Sequence, residues 1–332
     1  MDIREEKELY EEQHLSKYAA LSSRSKGREK EIEPCDLRTC YQRDRDRIIH
    51  CKAFRRLKHK TQVFLAPSGD HYRTRLTHTL EVSQIARSIA SSLRLNEDLT
   101  EAIALGHDLG HTPFGHAGER ALNKCIEFSH TIQSLRVVDF LENDGEGLNL
   151  TYEVRDGILN HTEGEAVTIE GRIVKLADKI AYVNHDMDDA MRAGILYEED
   201  IPAEVRKTLG ETRKDRLDKI IHDIVANSYD RDDVRMSDEI YGAYNELRQF
   251  LFDNLYFNPV CKSEEAKAEA MVITLYNHYV GHLEEIPEEY RKVMDMRGIS
   301  PERIVADYIS GMTDYYSVEV FRKLYIPEFW EK

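Results

Sequence analysis

The 332-residue chain is short of the residues that interrupt regular structure, with only 17 glycines and 8 prolines. That scarcity excludes collagen-like and low-complexity classes, and 41% hydrophobic with 33% charged residues excludes a disordered chain. The five cysteines, Cys35, Cys40, Cys51, Cys125 and Cys261, are odd in number and scattered, so they read as reduced thiols, not as a disulfide framework. Cys35 and Cys40 lack the second ligand pair that a structural zinc site needs. No run approaches the roughly 18 apolar residues that cross a bilayer. The opening MDIREEKELYEE is acidic where a signal peptide is basic and then apolar. These absences predict a cytoplasmic protein that makes no membrane contact. Positive charge is in the minority, 46 Lys and Arg against 62 Asp and Glu for a net charge of -16, so a polyanion has to bind at a local basic island. Neither GxxxxGK[ST] nor GxGxxG occurs, so a nucleotide is not held by either Gly-rich cradle.

What is present is mostly helical. Residues 1–34 are polar, include SSRSKGREK, and predict a partly ordered arm. From Arg38 to Lys60 nine Lys or Arg stand against Asp44 and Asp46. Most of them suit a solvated face, while a few can hold phosphates, and the stretch 24–60 is a candidate surface for single-stranded nucleic acid. Residues 61–75 carry β-type residues around Pro67-Ser68-Gly69-Asp70 and predict a short hairpin. Apolar spacing of three and four marks helices elsewhere, including 236–257, 264–284 and 301–324. The fold class is therefore all-α, with at most that hairpin. We divide the chain into the arm 1–34, a catalytic core 35–200 and a C-terminal helical region 201–332 packed on the core.

Eight of the 14 histidines fall between residues 50 and 130. His78 shares a stripe with Val82, Ile85 and Ile89, which points its imidazole inward, where an unpaired polar ring is costly. Leu99, Ile103 and Gly106 form the next inward stripe, which ends in His107-Asp108. Asp178 shares a face with Val174, Ala181 and Tyr182. Buried carboxylates are usually paired or bound to metal. Two imidazoles and two carboxylates from His78, His107, Asp108 and Asp178 suit Mn, Fe, Zn, Ni or Mg with positions left for water and substrate.

The order His, His-Asp, Asp is the signature of the HD phosphohydrolase superfamily. The blocks RDRDRIIHCKAFRRLKHKTQVF (43–64), RLTHTLEV (75–82), ALGHDLGHTPFGHAGERALN (104–123), GLNLTYEVRDGILNH (147–161) and RIVKLADKIAYVNHDMDDAMRAG (172–194) resemble the deoxyguanosinetriphosphate triphosphohydrolase-like family. The resemblance is strong over about residues 10–200 and lies only in helical character beyond. It implies an HD-domain helical bundle that hydrolyses a deoxynucleoside triphosphate, dGTP or another dNTP, to deoxynucleoside and inorganic tripolyphosphate. It implies metal ligation by His78, His107, Asp108 and Asp178, and a catalytic group of His116, Glu119 and His111. His116 is assigned as proton donor to the 5′-oxygen, with Glu119 orienting it at i+3. His111 and His130 match phosphate contacts, Arg75 and Lys179 cationic phosphate ligands, Tyr182 and Asp186 sugar and phosphate contacts, and Gln62 with Val63 the pair that senses the 3′-hydroxyl. The family's tyrosine at the base and sugar has no motif by which to choose among Tyr241, Tyr244, Tyr256, Tyr276 and Tyr279. A homo-oligomer, hexamer or tetramer, and a dNTP effector are further implications. The alternatives are an HD nucleotide phosphatase or phosphodiesterase acting on mono- or cyclic nucleotides, a two-metal variant using His111 and His116, and a nucleotide-sensing or single-strand-binding scaffold.

Overall fold

The computed structural model describes residues 1–62, 73–256 and 259–327. The helices are α1 (Ile3–His14), α2 (Cys40–His50), α3 (Lys52–Arg56), α4 (Arg75–Ser92), α5 (Glu97–Gly106), α6 (Gly115–Cys125), α7 (His130–Arg136), α8 (Tyr152–Leu159), α9 (Ile169–Arg192), α10 (Ala203–Leu209), α11 (Arg213–Ser228), α12 (Asp238–Leu251), α13 (Pro259–Gly281), α14 (Glu288–Arg297), α15 (Pro301–Ser310) and α16 (Asp314–Tyr325). No sheet is present among the described residues; Thr61 and Thr74 meet in one antiparallel bridge where the hairpin is predicted. The intervening segment with Val63 and Pro67-Ser68-Gly69-Asp70 lies outside the described residues. Among the described residues no helix is long and apolar enough to cross a membrane. Cys35, Cys40, Cys51 and Cys125 are free thiols, as predicted.

The chain forms two compact units, each assembled from three separated stretches: Met1–Ile49, Thr77–His107 and Asn149–Pro259 in the first, His50–Leu76, Asp108–Leu148 and Val260–Lys332 in the second.

In the first unit α5, α8 and α9 pack on one another. Leu99, Ile103, Val154, Ile158, Ile173, Val174 and Ala177 are fully buried there. Gly157 permits the approach of α8 to α5, since a Cβ on it would lie 2.5 Å from Ile103 Cδ1. Thr168 caps the 24-residue α9 by accepting from Gly171 N. On α12, Tyr244 is buried and its hydroxyl donates to the Lys179 carbonyl of α9 at 2.7 Å.

The polar residues 1–34, predicted as a partly ordered arm, instead form ordered structure in the first unit. Helix α1 opens on a capping box of Asp2 and Glu5. Buried carboxylates then satisfy the backbone of the following turns. Glu11 accepts from Ser22 N and Oγ at 2.6 and 2.8 Å, Glu170 from Ala20 N and Asn96 N at 3.0 Å each, and Glu153 from Lys26 N and Ser25 Oγ at 2.8 and 2.7 Å. Hydrogen bonds and ion pairs replace the apolar contacts that composition searches for, which is why polarity here did not mean disorder.

In the second unit Phe114, Leu122 and Phe128 pack with Val272 and Leu275 of α13 and Ile304, Val305 and Ile309 of α15. Gly110 lies against α7 so closely that a Cβ would meet Ser134 N at 2.1 Å, and its own N–H donates to Ser134 Oγ at 2.9 Å.

Asp44, fully buried, joins the arm to the first unit. It accepts from Thr151 N and Oγ1 at 2.8 and 2.7 Å and pairs with Arg28. Asp44→Ala leaves the Arg28 charge buried without this partner, and we expect a loss of about 3–5 kcal/mol in urea unfolding; a loss below about 1 kcal/mol would contradict this role.

Candidate active site

The first unit gathers its imidazoles around Asp178. The Asp178 carboxylate, on α9, lies 3.0 Å from His78 Nε2 of α4 and 3.8 Å from His107 Nε2, just past the end of α5. His78 and His107 are buried, while the Asp178 side chain keeps about a quarter of its surface open. Burial works to raise the Asp178 carboxyl, but the His78 hydrogen bond and the neighbouring His107 and His161 outweigh it and hold the group well below the usual carboxylate range. His107 Nδ1 donates to the Ala104 carbonyl at 2.6 Å, which leaves the neutral ring's lone pair on Nε2, toward Asp178. His161, stacked edge-on against His107 at 5.0 Å, is fixed in the same way by the Ile158 carbonyl at 2.7 Å. Imidazole lone pairs converging on a carboxylate are the donor set of a divalent cation.

The second unit, whose middle stretch begins at Asp108, holds a further group. Asp108 Oδ2 accepts from Arg75 Nη1 at 2.8 Å, and Asp108 Oδ1 lies 3.3 Å from His111 Nε2. Ligand atoms of Asp108, His111 and His130 lie within 4.8 Å of one another, as do those of His111, His116 and Glu119. Burial and the Arg75 charge push the His111 imidazolium down, so the ring is neutral. Its buried Nδ1 has no hydrogen-bond partner among the described residues, and the ring stacks on His130 at 4.1 Å.

Glu119 ties the remaining histidines together. One carboxylate oxygen accepts from His130 N and Nδ1, both at 2.8 Å, and the other lies 3.2 Å from His116 Nδ1. Burial alone would raise the Glu119 carboxyl, but the hydrogen bonds from His116 and His130 prevail and hold it far below the ordinary value. With Nδ1 held by Glu119, the half-exposed His116 keeps Nε2 for a partner outside the protein.

The start of α6 is set from the far end of the chain. Phe114 and Gly115 both have positive φ, 60° and 54°, a strained conformation for phenylalanine. Asp314, in the first turn of α16, accepts from Phe114 N at 2.8 Å and from Thr61 N and Oγ1 at 2.9 and 2.7 Å. Lys60, fully buried, donates to the His111 carbonyl and to the Ser310 carbonyl, the latter at 2.7 Å, and burial pushes its ammonium well below the ordinary value.

Among the predicted substrate residues, Arg75 is buried against Asp108 and Lys179 is exposed. Asp186 is fully buried. Gln62 is buried with Oε1 unpartnered among the described residues. Tyr182 is half-buried on α9, and Val63 lies outside the described residues. Sequence reasoning did not single out His185, Glu81, His161 or Asp314. Glu81 follows His78 by three residues and His185 follows Asp178 by seven, spacings that put each on its partner's helix face; nothing in the sequence signals Asp314.

An HD domain family model matches residues 75–183, and a phosphohydrolase-associated domain model matches 234–323. A solved phosphohydrolase of Bacteroides thetaiotaomicron shares the fold with a TM-score of 0.54 at 17% identity, covering 85% of this chain and 68% of that one. The chain is 54% identical over 333 residues to a deoxyguanosinetriphosphate triphosphohydrolase-like protein of Caldanaerobacter subterraneus subsp. tengcongensis, covering 99% of this chain and 98% of that one. A protein of the same name from Clostridium perfringens is 50% identical over 341 residues, with 99% of each covered. With such identity along almost the whole of both partners, the chain belongs to the deoxyguanosinetriphosphate triphosphohydrolase-like family of HD phosphohydrolases.

Proposed function

We propose that the protein hydrolyses deoxynucleoside triphosphates to deoxynucleoside and inorganic tripolyphosphate. The observation that carries this reading is the Glu119 carboxylate shared by His116 and His130, which supplies an oriented, half-exposed imidazole in an HD domain. The ligands are His78, His107, Asp108 and Asp178, the first two and Asp178 already converging in the first unit and Asp108 following His107 directly in the chain. A divalent cation there, Mn or Mg or a transition metal such as Fe, Ni or Zn, supplies charge to phosphate oxygens and acidifies a water.

His116 donates its Nε2 proton to the 5′-oxygen as that oxygen leaves, while Glu119 holds Nδ1 and stabilises the charged ring. His111 and His130 face phosphate oxygens, and Arg75 and Lys179 supply positive charge to the triphosphate. Tyr182 and Asp186 meet the sugar and phosphate, and Gln62 with Val63 reads the 3′ side of the sugar. The close grouping of His111, His116 and Glu119 favours a second reading in which His111 and His116 hold a second ion, and metal counting distinguishes the two. A homo-oligomer and a dNTP effector belong to the same proposal.

Phosphorus NMR of products from each of the four dNTPs and GTP, singly and as dNTP mixtures, with Mn²⁺ or Mg²⁺, tests the reaction. Tripolyphosphate from dNTPs and none from GTP is expected; orthophosphate or pyrophosphate would reassign the enzyme to phosphatase or phosphodiesterase chemistry. His107→Ala or Asp108→Ala abolishes metal retention and turnover together, whereas His116→Ala keeps metal and lowers kcat by roughly 10²–10⁴-fold. Equal metal loss in all three would show that His116 is a ligand. Sedimentation at micromolar concentration is expected well above the 38.6 kDa of one chain; a 38.6 kDa species would remove the oligomer from the proposal.

The depressed Glu119 carboxyl contributes stability that is complete above the unfolded-state value of about 4.3 and is lost as pH falls through the lower folded-state value. In metal-free protein the melting-temperature gap between wild type and Glu119→Gln should narrow as pH falls from about 5 to about 3. A gap that widens on acidification would contradict the assigned hydrogen bonds.

A further inference from the structure

His78 differs from the other two histidines of its cluster in what holds its outer nitrogen. His107 and His161 donate from Nδ1 to backbone carbonyls. His78 Nδ1 instead lies 3.2 Å from Nδ1 of a fourth histidine, His185, which is buried on α9. The two rings meet edge-on, centroids 5.4 Å apart and planes at 87°. Beyond them, His185 Nε2 lies 2.5 Å from Glu81 Oε2, and Glu81 Oε1 lies 3.2 Å from Arg213 Nη2 at the start of α11. Arg213 is itself anchored on Asp188 at 3.3 Å. A row of side chains thus runs from Asp178 through His78, His185 and Glu81 to Arg213, all within the first unit.

Proton positions follow along the row from its outer end. An ionised carboxylate only accepts, so His185 Nε2 carries the proton it gives to Glu81. A neutral ring protonated at Nε2 offers a lone pair at Nδ1. His78 then donates from its own Nδ1, and the lone pair of neutral His78 is left on Nε2, facing Asp178 Oδ1 at 3.0 Å. Two electron-rich atoms at that distance need a cation between them: a proton in the metal-free chain, which is the His78 hydrogen bond that keeps Asp178 ionised, or a divalent ion in the loaded one. The reverse direction, with His185 donating to His78, would put the His78 proton on Nε2 and remove the ligand.

We infer that His185 is a positioning residue for the metal centre: it accepts the Nδ1 proton of His78, and Glu81, held by Arg213, fixes His185 as that acceptor. The inference rests on the reading of His78 as a ligand. A carbonyl fixes a ligand by its backbone position, whereas this acceptor is a side chain and can be exchanged without moving the main chain.

The test measures Zn²⁺ affinity of EDTA-stripped protein, by competition with a chromophoric chelator and without any nucleotide, in His185→Asn and His185→Leu. Asparagine places an acceptor oxygen where His185 has Nδ1; leucine has the same shape and none. Asn is expected to stay within about threefold of wild type and Leu to weaken Zn²⁺ binding about 10–100-fold. Equal affinities for the two variants would overturn the inference, because packing alone does not separate them. Should the Leu variant not fold, ¹⁵N histidine spectra of the Zn²⁺-loaded wild type decide: a His78 proton on Nδ1 with zinc on Nε2 supports the inference, and zinc on Nδ1 overturns it. His107→Ala is the control for the underlying reading; wild-type Zn²⁺ affinity there would unseat the ligand set itself, whatever the His185 variants do.

Discussion

The site depends on one electrostatic constraint: a carboxylate carried on a core-facing helix position among imidazoles has to stay ionised. Burial works against the charged form of Asp178, and the neighbouring histidines reverse that tendency. Each histidine can contribute only if its own proton is directed, and so the surroundings of Asp178 are occupied by acceptors, the Ala104 and Ile158 carbonyls and the His185 ring. The second unit solves the same problem with the same device, since Glu119 is held ionised by two histidines whose Nδ1 atoms face it. The two clusters share a grammar of carboxylate, imidazole and fixed tautomer, which is the grammar of metal-assisted phosphoryl chemistry.

How much of this could be read from the chain follows from the kind of signal each residue leaves. Helical spacing showed that His78 travels with Val82, Ile85 and Ile89, and all of these are buried. The same logic put Asp178 on the face of Val174 and Ala181, and the i, i+3 spacing of His116 and Glu119 returned as a hydrogen bond. Periodicity gives the face of a helix but not what the facing helix brings there. His185 and Glu81 were therefore not singled out, although their spacing from Asp178 and His78 puts each on that residue's helix face. The N-terminal 34 residues failed for a related reason, because part of their order comes from carboxylates at 153 and 170, more than a hundred residues away.

The least legible contributions are those that cross the largest sequence distances. Asp314 and the Ser310 carbonyl belong to the last helices, yet they fix Thr61, Lys60 and the strained Phe114 at the opening of the helix that carries His116. No local pattern encodes such a restraint. Both Ser310 and Asp314 fall in the matched phosphohydrolase-associated segment, 234–323, whose last helices thus help set the start of the helix that carries His116.

The interleaving of the two units has a consequence during synthesis. The Phe114, Leu122 and Phe128 side of the second unit leaves the ribosome long before Val272, Leu275 and Ile304 exist to cover it. The chain between Leu148 and Val260 takes roughly ten seconds to translate at about ten residues per second. Throughout that interval a half-built apolar surface and the unhoused Lys60 ammonium stand in water.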